Sequence, residues 1–362
     1  MSLTVIVGGQ FGSEGKGKIC AYLSLRDDVD AVVRCGSTNS GHTVIIDDRK
    51  WELRMIPAGF INPRSILMLP AGAIIDPRIL QREIEETGVI RDRLIIDRNA
   101  GILEPSDADS EKEMNLNGQF GSTQSGVGSA ISRRVLRRAD FRLAKDVEAL
   151  RHCATVTDVS AKVNELLDSG RKVIIEGTQG FGLSLYHTPR YPYATSRDTT
   201  AAGFLAEVGV SPRYVDDVII AFRSFPIRVG GNSGPLSNEV TWNYVQASSG
   251  YPYPLGELTT TTKRLRRVAT FDPAILTRAV MINGATQLAM HGADYLDFGN
   301  KSQTDFEMLT PATKDFVRHV EHAMGVPIAF IGTGPENSEL IDRCYPEQVG
   351  ADATFAINGN NR

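Results

Sequence analysis

Short apolar runs recur along the chain at residues 3–7, 30–34, 65–69, 93–96, 172–176, 217–224 and 327–331. Each is rich in β-branched residues and lacks a polar face, the pattern of a strand buried on both sides. Helical patterns separate them, which predicts an α/β fold: a mostly parallel central sheet flanked by helices. Asp76-Pro77, Asp272-Pro273 and Thr310-Pro311 each set a capping oxygen before a proline and predict helix starts. Gly88, Gly284 and Gly325 predict the matching stops. Two more helices are predicted around residues 142–152 and 160–167. Three polar, glycine-rich stretches, 115–132, 177–202 and 229–267, read as elaborated loops. In an open α/β fold such loops gather at the carboxyl ends of the strands, where ligands bind. No internal repeat, low-complexity tract or linker interrupts the pattern, so residues 1–362 are expected to form one catalytic domain.

The first strand runs into Gly8-Gly9-Gln10-Phe11-Gly12-Ser13-Glu14-Gly15-Lys16-Gly17-Lys18. Glycines let the backbone approach an anion and turn its N–H groups inward, while the lysines supply charge at a helix start. The spacing departs from the standard phosphate loop, which needs Gly at Gln10 and a hydroxyl at Gly17. The loop therefore predicts a nucleotide, bound in an unusual way. A net charge of −4 argues against a general nucleic-acid surface. No apolar run approaches the roughly 18 residues of a membrane span, and residues 1–3 lead straight into a strand, so a cytoplasmic protein is expected. Cys20, Cys35, Cys153 and Cys344 have no metal-ligand spacing and read as reduced thiols.

A second candidate loop, Asn39-Ser40-Gly41-His42-Thr43, follows the strand ending at Arg34. A histidine there can give a proton to oxygen or stabilise phosphoryl charge; alternatively it belongs to a plain turn. Glu176-Gly177-Thr178-Gln179-Gly180 repeats the strand-then-glycine arrangement, and Gln179 could meet a base edge.

Residues 8–18, 39–43 and 176–180, with 191–196, 212–216, 261–267 and 332–335, together resemble the adenylosuccinate synthetase family, in order and from end to end. The resemblance implies a P-loop-NTPase-like fold and a ligase that phosphorylates a purine 6-oxygen before aspartate displaces phosphate. It implies that Gly12, Ser13, Glu14, Gly15, Lys16 and Gly17 hold the transferring phosphate. Gly41, His42 and Thr43 would join them, with Gly332, Thr333, Gly334 and Pro335 at the donor base. Lys16, His42, Gln179 and Ser13 stand at the catalytic positions, and Ser13 and the Gly41 carbonyl at those that meet Mg2+. Asn39, Thr123, Gln179, Thr195 and Arg264 fall around the purine monophosphate. Arg137 stands where the family sends an arginine across a homodimer interface, although residues 132–138 could instead be a solvated basic face or a nucleic-acid patch. Thr261, Thr262, Arg264 and Arg266 match the loop that closes over L-aspartate.

Three departures from the family pattern carry information. Ser13 replaces an aspartate that takes the purine N1 proton, and a serine has neither its pKa nor its metal affinity. The smaller residue leaves room for a 2-amino group. The family's guanine reader is altered across residues 288–297, where Asp294 and Asp297 remain but the lysine is absent. Gln124-Ser125 replaces a glycine-arginine pair. These changes resemble the phage-type branch, which joins dGMP to aspartate with ATP or dATP, and would place the enzyme in a host cytoplasm. The alternatives are an ordinary enzyme using IMP and GTP, and an inactive nucleotide-binding regulator.

Overall fold

The computed structural model describes residues 2–259 and 263–344. Ten strands form one sheet: β1 (Leu3–Gly8), β2 (Ala31–Arg34), β3 (Ile66–Leu69), β4 (Leu94–Asp97), β5 (Thr155–Thr157), β6 (Val173–Glu176), β7 (Val215–Arg223), β8 (Gln287–His291), β9 (Ile328–Gly332) and β10 (Leu340–Asp342). Their order is β10-β9-β8-β7-β1-β6-β2-β3-β4-β5. All neighbours are parallel except β9 and β10. Along β1 the side chains alternate between two cores: Leu3, Val5 and Val7 enter one and Ile6 the other. Burial on both faces explains the unbroken apolar runs.

The predicted strands appear within two residues of their expected limits, and the proline-started helices appear at Pro77–Thr87, Pro273–Asn283 and Pro311–Met324. Gly88, Gly284 and Gly325 cap them in the left-handed conformation. Helix Val159–Asp168 matches the expectation for 160–167.

Two expectations are corrected. Residues 142–152 do not form one helix but a 3-10 turn, Ala144–Asp146, and a short helix, Glu148–Cys153. The amides of Ala144 and Lys145 are drawn to the carbonyls of Ala100 and Arg98 instead of into a helix. Conversely, the stretch 115–132 carries helices Leu116–Phe120 and Val127–Val135. The buried carboxylate of Glu111 accepts from the amides of Gly126 and Gly128, satisfying the helix start from a distant segment. Within 229–267 a further helix, Trp242–Ser249, forms behind a Thr241 cap.

Candidate active site

The carboxyl ends of β1, β2, β6 and β8 converge. From β1 the chain passes through residues 9–15 into helix α1 (Lys16–Arg26), whose N-cap is Gly15 at φ 88°. Ser13 also lies at positive φ, 59°. Inside this loop Glu14 is fully buried; its carboxylate accepts from the amides of Gln10 and Gly12 and pairs with Lys16 Nζ at 2.7 Å. Lys16 also donates to the Gln179 carbonyl, tying the β1 and β6 loops together.

Two cavities adjoin this loop. The larger, about 600 Å³, extends past Thr43, Lys18, Arg223, Tyr251, His291 and Gly334. The smaller, about 80 Å³, is lined by Gly12, Asn39, Thr123, Gln179 and Val229 among others. Ser13, Lys16, Gly41, His42 and Arg266 line both. A group transferred between the cavities would pass these five residues.

His42 is not in a loop but opens strand His42–Ile46, hairpinned to Arg49–Leu53. Behind it, Arg34 and Glu176 are paired positions on β2 and β6. Glu176 Oε1 accepts from Arg34 Nη1 at 3.0 Å and from His42 Nδ1, while Oε2 accepts from the Ala58 amide at 2.8 Å. Arg34 Nη1 also lies 2.6 Å from Nδ1; a proton on Nδ1 suits the carboxylate and leaves Nε2 as the nitrogen open to a ligand. Burial, aided by Arg34, pushes the His42 pKa down to about 4, against the pull of Glu176. The sequence reading missed Arg34 as a partner, because nothing in either segment announces a pairing 142 residues apart.

On the other side, Arg223 at the end of β7 donates to the Ser13 carbonyl at 3.2 Å and pairs with Glu257, to which Tyr295 also donates. Arg266 is half-buried with its Nε unpartnered. Tyr251 donates to Asp294, which is buried, and burial raises the Asp294 pKa. Tyr251 packs edge-on against Phe298, with centroids 4.7 Å apart, and against Tyr253 and Tyr295. Arg223, Glu257 and Tyr251 gave no sequence signal, since none stands in a motif, and Tyr295 lies in the altered segment 288–297 with nothing to mark its role.

Other expected residues are placed as follows. Gly334 and Pro335 line the large cavity, whereas the buried Thr333 turns its hydroxyl to the Gln303 carbonyl. Gly332 packs on His291. Glu14 faces into its own loop and lines neither cavity. Thr195, Arg264 and Arg137 also lie outside both linings, with Arg264 and Arg137 exposed. Asp297 caps a turn at Phe298–Asn300. Thr261 and Thr262 lie outside the described residues.

Two cavities meeting at a glycine-rich loop that opens a helix suit a nucleotide-dependent ligase, in which one side would hold the phosphoryl donor and the other the group to be activated. A family model described as adenylosuccinate synthetase matches residues 5–152 and 140–301. The chain is 41% identical over 347 residues to adenylosuccinate synthetase of Pyrococcus horikoshii, covering 95% of this chain and 99% of the relative. For the Methanocaldococcus jannaschii enzyme of that name the identity is 41% over 346 residues, with 94% and 97% covered. Fully ligated adenylosuccinate synthetase from Plasmodium falciparum has the same fold, with TM-score 0.82, 23% identity and coverage of 94% and 100%. Cyanophage S-2L succinoaminodeoxyadenylate synthetase, bound to dGMP and to dATP as an energy donor, gives TM-score 0.80 at 28% identity, with 94% and 95% covered. The chain belongs to the adenylosuccinate synthetase family. It is accordingly a ligase that joins aspartate to a purine nucleotide. Among the described residues no helix is long and apolar enough to cross a membrane.

Proposed function

We propose that this ligase joins L-aspartate to C6 of dGMP, using ATP or dATP, and releases N6-succino-2-amino-2′-deoxyadenylate, ADP or dADP, and phosphate. The observation that carries the reading is Ser13, a small neutral side chain lining both cavities where the family pattern has a carboxylate. A carboxylate there would crowd a 2-amino group, whereas a hydroxyl can accept its hydrogen bond. Support for an adenine donor comes from Asp294, whose carboxylate is engaged by Tyr251 and unfavourably buried as an anion. A carboxylate so occupied is poorly disposed to read the N1–H and amino group of guanine.

In this reading Lys16 and the amides of residues 13–17 hold the transferring phosphoryl group, and Thr43 stands beside them. Phosphate charge nearby favours uptake of a proton from solvent on His42 Nε2, and the resulting imidazolium, stabilised by Glu176, donates a hydrogen bond to the bridging 6-oxygen and offsets the charge that develops there. Asn39, Thr123 and Gln179 line the purine monophosphate side, with Thr195 and Arg264 at its margin. Arg266 takes an aspartate carboxylate, assisted by Thr261 and Thr262. Arg137, exposed here, would reach a partner subunit's site in a homodimer. Among the described residues no cluster of three or more acidic, histidine or cysteine side chains could hold a metal. The Gly41 carbonyl and Ser13 hydroxyl, neutral oxygens of residues that line both cavities, would hold Mg2+, the hydroxyl more weakly than the family's carboxylate. When bound, the ion neutralises phosphate charge.

A second reading, IMP with GTP, is favoured by the 41% identity to archaeal adenylosuccinate synthetases. Phosphate release with aspartate and Mg2+, comparing dGMP, GMP and IMP against ATP, dATP and GTP, separates the two. Fastest turnover with dGMP and an adenine donor is expected, and preference for IMP with GTP would overturn the proposal.

A further inference from the structure

Arg223, His291 and Gly332 are paired in one row across the carboxyl edges of β7, β8 and β9. His291 is 7% exposed, and its Nε2 is buried with no hydrogen-bond partner. The ring is held in place by two glycines. A β-carbon on Gly15 would lie 2.5 Å from Nε2, and one on Gly332 would overlap Nδ1. The imidazole therefore stands edge-on against the N-cap of α1 and lines the large cavity.

Helix α1 spans 11 residues and has no side-chain cap, so its first-turn amides are free for an anion. The three cations whose charge bears on His291 each also hold a partner within the protein. Lys16 is held by Glu14, Lys18 by the carbonyls of Gly334 and Glu339 at 2.7 Å each, and Arg223 by Glu257. Burial, with Lys18, Arg223 and Lys16 around it, holds His291 well below its ordinary pKa, so the ring is neutral and carries one N–H. A buried ring nitrogen without a partner is costly in either tautomer, and beside a helix start that attracts negative charge it is the tautomer protonated on Nε2 that gains an acceptor.

We propose that His291 binds the phosphoryl donor, its Nε2–H donating to a non-bridging phosphate oxygen of a nucleoside triphosphate seated at the start of α1. This rests on the reading that the large cavity takes that donor. A neutral donor here reaches the phosphate without adding to the repulsion among Lys16, Lys18 and Arg223, and it couples β8 to the phosphate loop.

The test is calorimetric binding of non-hydrolysable analogues of ATP, dATP and GTP, with Mg2+, to the parent, His291→Leu and His291→Gln, alongside steady-state kinetics. Leu should weaken binding of the accepted triphosphate about 10- to 100-fold, the loss of one hydrogen bond to a charged acceptor. Gln, which places an N–H near Nε2, should recover most of it. The KM values for aspartate and the purine monophosphate should hold, and nucleotide-free His291→Leu should melt no lower than the parent. Unchanged triphosphate affinity in His291→Leu, or equal losses in both variants with lower melting, would overturn the proposal. A different donor base leaves the loss visible on whichever triphosphate binds, so an error in the donor assignment is read separately.

Discussion

Replacing Glu176 by Gln tests the arrangement behind His42. Glu176 is fully buried and offers the only carboxylate that both Arg34 and His42 are seen to meet among the described residues. Gln keeps an acceptor for the Ala58 amide, but its NH2 then faces Arg34 Nη1 and His42 Nδ1, three donors together. Arg34, 1% exposed, retains the carbonyls of Arg54 at 3.0 Å and Ser40 at 3.4 Å and the neutral His42 Nδ1 at 2.6 Å, but no carboxylate. Removing one partner of a buried ion pair typically costs about 3–5 kcal/mol, and urea unfolding should show a loss of that size. Catalysis should fall further than binding. Without the carboxylate the imidazolium loses its stabilising charge and its orientation, so kcat for phosphate release should drop about 10²- to 10⁴-fold with KM values little changed. Rates are read below the variant's unfolding transition, with all three substrates saturating. A variant within about 1 kcal/mol of the parent and within about threefold in kcat would refute this account of the triad.

Ser13→Asp should lower dGMP turnover and shift preference toward IMP; the φ of 59° is one that Asp tolerates, so the fold should hold. A rise in dGMP turnover would contradict the steric argument. Tyr251→Phe frees the Asp294 carboxylate, and the ratio of GTP to ATP usage should rise by roughly tenfold, read from competing-donor kinetics. An unchanged ratio would remove Tyr251 from donor selection. His42 is protonated in the unfolded chain below its ordinary pKa of about 6.5 but in the folded protein only near 4. Its contribution to stability is therefore full above pH 6.5 and is lost progressively toward pH 4, by about 3 kcal/mol. His42→Asn should flatten the stability profile across that window, and a parallel profile would show that other groups set the slope.

The sequence alone determined the layered architecture. Strands buried on both faces must be apolar at every position, and helix ends need particular residues such as Asp76-Pro77 and Gly88, so both leave local marks. It also marked the loop after β1 as a place of unusual backbone conformation, where Gly12 and Gly15 adopt positive φ. What it left undetermined depends on distance in space. Arg34 and Glu176 become partners only because β6 lies between β1 and β2, and Glu111 starts a helix only because its segment folds beneath Gly126. Asp294 survives in sequence as a base reader would, yet the Tyr251 hydroxyl engages it. His291 lies in the altered segment 288–297 with nothing to mark its role, and becomes notable only when two glycines from separate segments hold its ring beside α1 with Nε2 buried. Local residue choice is written by backbone conformation and burial, which repeat along the chain. Side-chain protonation and pairing are decided by neighbours that only the tertiary fold supplies.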